Sequence, residues 1–158
     1  MIFLALIYLA FISLGLPDSL LGSSWPLMHL SFDVPVGSAG FLAIIVSTGT
    51  ILSSLLSHRL IRRFGTGAVM VGSVSLTAIA LLGTSLAPSF WMLIVLAIPL
   101  GVGAGAVDSG LNAFVAAHYA AKHMNWLHCF WGVGAMLGPI LISALTKSGF
   151  NWRSGYFY

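Results

Sequence analysis

The chain has 158 residues, 59% of them hydrophobic, and only six Lys+Arg and three Asp+Glu. Charged residues make up 6% of it, against roughly 25% in an ordinary soluble domain, and mean hydropathy is +1.05. So few charges cannot cover a water-soluble globule, the pI near 9.4 reflects scarce acids and no nucleic-acid-binding patch, and the single Cys129 excludes an internal disulfide framework and a Cys-based zinc site.

What remains is an all-α integral membrane protein, because backbone polar groups in lipid must be satisfied within the protein. Crossing the hydrocarbon takes about 20 mostly apolar helical residues. The first span is expected at about Ile2–His29. It lacks the basic leader and small-residue cleavage site of a signal peptide. The second span is expected at about Ser38–Ser57 and the third at about Gly67–Leu86. The charge-free stretch from Phe64 to Val107 is too long for one span and breaks at Ala87-Pro88-Ser89, where Pro disfavours helix in the preceding residue. The fourth span is expected at about Phe90–Ala117 and the fifth at about Met124–Thr146. Asn151–Tyr158 reads as the start of a sixth, from about Trp152. Outer-membrane strands alternate apolar and polar residues, which runs such as Trp91–Ile98 do not.

Lys and Arg in short loops set orientation. Arg59, Arg62 and Arg63 fall between spans two and three, and Lys122 between four and five. Lys147 and Arg153 lie on the opposite side. The balance places the basic loops and the N-terminus in the cytoplasm, in a cell (inner or plasma) membrane. The chain starts almost at once in hydrocarbon-compatible sequence, so a few leading residues are expected before it.

Two of the three acids fall inside spans: Asp18 in the first and Asp108 in the fourth. An ionised carboxylate at membrane depth costs at least ~2.5–3.5 kcal/mol on insertion scales, so each should face protein or water. A carboxyl taken out of water favours its neutral form. It can load and release a proton as its surroundings alternate between wet and dry, which is what a proton-coupled carrier needs. The alternative for both is an acid that holds helices together by hydrogen bonding. Asn112 is four residues after Asp108 and shares its helix face. Together they suit a hydroxyl-rich ligand or an interhelical contact. Asn125 and His128 also share a face. His128 suits a proton relay or a packed neutral position. Trp126 suits an interface anchor, whereas Trp131, deeper in the span, suits either an anchor or a stacking platform. Gly101/Gly105 and Gly134/Gly138 are small-xxx-small pairs that permit close helix approach, and Gly138-Pro139 adds a bend. Gly101, Gly103 and Gly105 lie in an unbroken apolar run, so they form no dinucleotide loop. No nucleophile–base set, phosphate loop, metal-ligand spacing or cofactor motif appears, so the chain does not read as an enzyme.

These features resemble the N-terminal half of a major facilitator superfamily transporter. The segment from His58 to Thr66 sits where that superfamily carries a loop signature of Gly, Asp, Arg and Gly. Arg63 and Gly65 match it; His58 replaces the leading Gly and Arg62 the Asp that normally joins a salt bridge between halves. Gly134, Gly138 and Pro139 are similar to its fifth-span GxxxGP motif. Asp108-Ser-Gly-Leu-Asn112-Ala-Phe-Val115 is similar to the fucose permease branch of sugar–proton symporters, with Asp for Glu and Ala113 where Pro is usual. Asn125 and His128 stand where that branch has Asn and Gln, and Asp18 is a counterpart of its first-span Asp.

The resemblance implies a secondary carrier working by alternating access, with two six-helix halves rocking about a midplane site. Residues 1–158 would be part of the N-terminal half, and the missing C-terminal half its partner. Besides the lipid bilayer, the partners implied are protons and a sugar or similar small polar solute. Asp108 and Asp18 would couple protons, and Asn112, Asn125, His128 and Trp131 would bind solute. The rivals are an exporter of amphipathic compounds, a non-transporting truncated membrane protein, and a half-carrier that dimerises. The stop at Tyr158, early in a sixth span, speaks against the last.

Overall fold

The computed structural model describes residues 2–157. Five long helices account for most of it: α1 (Ile2–Ser31), α2 (Ala39–Phe64), α3 (Thr66–Leu86), α4 (Phe90–His118) and α5 (Lys122–Lys147). A 3-10 turn at Val36–Ser38 precedes α2, and a short α6 covers Ser154–Phe157. All five long helices have the length and apolarity to cross a bilayer. At about 1.5 Å per residue, even the shortest reaches the thickness of the hydrocarbon.

The turns follow local chemistry. Asp33 takes a left-handed conformation (φ 53°) in the α1–α2 turn, one that Asp tolerates better than bulkier residues. Gly65 (φ 82°) alone separates α2 from α3, its N–H donating to the Ile61 carbonyl at 2.8 Å. The extended Ala87 before Pro88 ends α3. Buried hydroxyls inside the helices return their hydrogen bonds to the preceding turn, as Ser24 does to Leu20 (2.6 Å) and Thr84 to Ala80 (2.9 Å).

One expectation is corrected here. Arg59, Arg62 and Arg63 are not in a loop; they occupy the exposed last turns of α2, and only Gly65 breaks the chain. A helix need not stop where charges begin. Past the membrane surface water solvates the basic side chains, and cations near a helix C-terminus favour its dipole.

The helices pack mainly as α1 against α5 and as α4 against α2 and α3, with α6 against α3. The small residues mark the crossings. A Cβ on Gly134 would meet the Ile12 carbonyl, and one on Gly138 the Ser19 hydroxyl. On the other pair, a Cβ on Gly101 would meet the Val46 carbonyl and one on Gly105 the Thr50 carbonyl. Both small-xxx-small pairs are therefore at close helix crossings, Gly134, Gly101 and Gly105 against partner backbone and Gly138 against the Ser19 side chain, where dispersion and not dehydration holds helices together in lipid. Pro139 sits beside this seam on the exposed side of α5, and the helix continues through it.

Two apolar clusters fill the ends of the bundle. One joins Leu20, Trp25, Met28, Leu42, Leu93, Ile142, Trp152 and Tyr156. The other joins Ile7, Phe11, Leu14, Val107, Leu111, Val115 and Leu127. At the first end Arg153 ties elements together. Its Nη1 donates to the carbonyls of Ala87 (2.7 Å) and Ser85 (3.2 Å), groups that the end of α3 leaves without helical partners. Its guanidinium also lies 4.5 Å over the Trp152 ring. Arg153→Ala should cost about 1.5–3 kcal/mol, the range for hydrogen bonds that involve a charged group. Thermal unfolding followed by helical circular dichroism would show it as a lowered midpoint.

Candidate functional site

A cavity of about 290 Å³ opens between the two apolar ends. Its wall draws on four helices: Phe11, Leu14 and Asp18 from α1, Thr50 from α2, Ala104 and Asp108 from α4, and His128 and Trp131 from α5. The close crossings just described place these helices so that both intramembrane acids reach one space.

Each acid has one protein donor. The indole Nε1 of Trp131 donates to Oδ2 of Asp18 at 3.1 Å. The amide Nδ2 of Asn112 donates to Oδ1 of Asp108 at 3.0 Å, an i to i+4 contact along α4. The second oxygen of each carboxyl is left for solvent or solute. Nδ1 of His128 lies 2.9 Å from the Met124 carbonyl, so it donates there as N–H and leaves Nε2 uncommitted. The wall contains no Lys or Arg, so no fixed cation neutralises these carboxyls. Phe11, Leu14, Ala104 and the Trp131 ring make the rest of the surface apolar.

Of the residues singled out from sequence, Asp18, Asp108, His128 and Trp131 line the cavity together. Asn112 does not line it; it stands one helical turn along α4, bonded to Asp108. Asn125 is exposed and away from the wall, and Trp126 is exposed with its ring 6.1 Å from that of Phe130. Trp131 does not rest at the helix end as an anchor; its indole crosses from α5 to α1. Thr50 and Phe11 escaped sequence reading. Thr50 is one of several hydroxyls on α2, and what distinguishes it is spatial: its Oγ1 donates across to the Gly101 carbonyl of α4 at 3.2 Å. Among the described residues, no cluster of His, Cys, Asp and Glu could hold a metal ion.

The chain is similar to known proteins along most of its length. The chain is 27% identical over 145 residues to Bypass of stop codon protein 6 of Saccharomyces cerevisiae, covering 90% of this chain and 29% of that protein. It is 24% identical over 152 residues to the glucose/mannose transporter GlcP of Bacillus subtilis, covering 95% and 38% respectively. It is 26% identical over 139 residues to the sodium-dependent glucose transporter 1 of Danio rerio, covering 86% and 23%. The chain thus spans well under half the length of each of these relatives. The sequence model of the Major Facilitator Superfamily matches residues 7–158, nearly the whole chain. With five helices long and apolar enough to cross a membrane, the chain belongs to the major facilitator superfamily of membrane transport proteins.

Proposed function

We propose that this bundle is the N-terminal part of a proton-coupled secondary carrier for a sugar or similar small polar solute. The observation that carries the reading is the pairing of Asp18 and Asp108 in one cavity whose described wall has no Lys or Arg. Asp108 loads and releases the coupling proton. Trp131 holds one oxygen of Asp18, whose second oxygen presents an acceptor to solute hydroxyls, and the indole face offers an apolar platform. His128, with Nε2 free, takes part in proton exchange between Asp108 and water. Relatives whose names specify glucose or mannose transport support a sugar as solute.

Arg59, Arg62, Arg63 and Lys122 mark the cytoplasmic side of a cell membrane. Arg153, bonded to the end of α3, serves packing and weighs less in this balance. Alternating access requires a second bundle across the cavity.

The test is uptake into vesicles holding this chain with that second bundle, under a proton gradient or a sodium gradient. Proton-driven sugar accumulation is expected. Sodium-driven uptake alone would overturn the choice of ion. The apolar half of the wall favours one rival, export of amphipathic compounds, and movement of dyes without sugars would establish it. Trp131→Phe keeps the ring and removes the N–H. Losing the hydrogen bond of about 1 kcal/mol that orients Asp18 should weaken solute affinity roughly fivefold, with little change in maximal rate.

A further inference from the structure

Asn112 has one hydrogen-bonding group in use and one idle. Its Nδ2 donates to Asp108, while its Oδ1 is buried without a hydrogen-bond partner. Buried polar atoms in folded proteins are nearly always paired, so an orphan asks for an explanation. Its neighbours along the same helix, Leu111 and Val115, are buried apolar side chains that offer no donor. Asn112 also stands away from the cavity wall, so its idle oxygen does not face solute.

The explanation lies in what protonation does to Asp108. An ionised carboxylate only accepts hydrogen bonds, whereas a protonated carboxyl also donates one. The indole beside Asp18 is a donor only and serves the first state. A primary amide can serve both. A half-turn about its last side-chain bond puts Oδ1 where Nδ2 was.

We propose that Asn112 is a positioning residue that follows the protonation state of Asp108, donating to the carboxylate and accepting from the acid. This rests on Asp108 as the coupling acid and gives Asn112 a part in the cycle that is not solute binding. The proton that Asp108 takes up sits on the oxygen facing Asn112 and points at the amide oxygen. The carboxyl therefore keeps one partner and one orientation through loading and release. The titratable groups that share its cavity are Asp18 from α1 and His128 from α5, while α2 presents the hydroxyl of Thr50. Neither Asp18 nor His128 is hydrogen-bonded to Asp108, whose partner is the Asn112 amide.

The test uses the full chain in lipid bilayers and infrared difference spectra between acid and alkaline pH. A protonated carboxyl C=O band is expected that disappears in Asp108→Asn. In Asn112→Leu, equal in shape but without polar atoms, that band should remain and move to higher frequency as the acid loses its partner. A band at the same frequency would overturn the proposal. A second measurement does not depend on that variant folding. With Asn125 and Asn151 replaced by Gln, carbonyl-labelled asparagine reports Asn112 alone. Its amide band should shift as Asp108 titrates, and lose that shift in Asp108→Ala, which adds no labelled asparagine. An amide band indifferent to pH would also overturn it. Should proton-driven uptake survive Asp108→Asn, the coupling role fails, and the spectra still decide whether the amide follows the acid.

Discussion

Asp108→Asn should abolish solute accumulation driven by a proton gradient while sparing exchange of solute across the membrane. The substituted amide keeps the size and much of the polarity of the carboxyl, so the cavity retains its shape. What it loses is the ability to change charge. A carrier without a proton-loading group can still bind, rock and release, but it can only equilibrate its solute. Counterflow, in which preloaded solute exchanges for labelled solute, separates the two activities. Asn112 would face an amide in place of the carboxylate and could still accept from or donate to it, so local packing should hold. Loss of both activities together would mean that Asp108 is needed for folding or for solute contact. Retention of both would remove it from coupling.

The second large effect is on packing. Gly132 and Gly134 are two residues apart on α5 but face different surroundings. A Cβ on Gly134 would run into the backbone of Ile12 on α1, whereas one on Gly132 meets nothing within 4 Å. Gly134→Ala should push α1 and α5 apart and cost about 1–3 kcal/mol or more, as overpacking of a tight contact does. Gly132→Ala should be neutral or stabilising by roughly 0.5–1 kcal/mol, the helix-propensity difference. Unfolding of both variants in the same detergent would show the contrast. Equal effects would mean that the α1–α5 seam is not the close contact described.

Much of this molecule was legible in its residues because a bilayer leaves few choices. Twenty apolar residues in a row must form a helix, and Pro88 had a local reason to end one. The glycine pairs were legible as contacts, but not their partners: nothing in the spacing of Gly134 and Gly138 says that α1 lies opposite. The end of α2 was misjudged because charge marks where lipid stops, and lipid does not decide where a helix stops. At the site, Asp18 and Asp108 stood out because acids are costly in a membrane. Thr50 did not, because a hydroxyl in a helix can satisfy itself on the preceding turn. Asn125 and His128 are three apart on α5, yet only His128 lines the cavity. A shared face on a helix is wider than the wall of a cavity this size.

The most direct test of the central claim is proton movement caused by solute. Vesicles holding this chain with its second bundle are suspended in weak buffer with no imposed gradient, and a candidate sugar is added outside. If Asp108 carries a proton inward with each solute, the medium should turn alkaline, and the change should vanish when a protonophore is present. Sugar entering the vesicles with no change in external pH would contradict proton coupling, and with it the role assigned to the acid pair at the centre of the bundle.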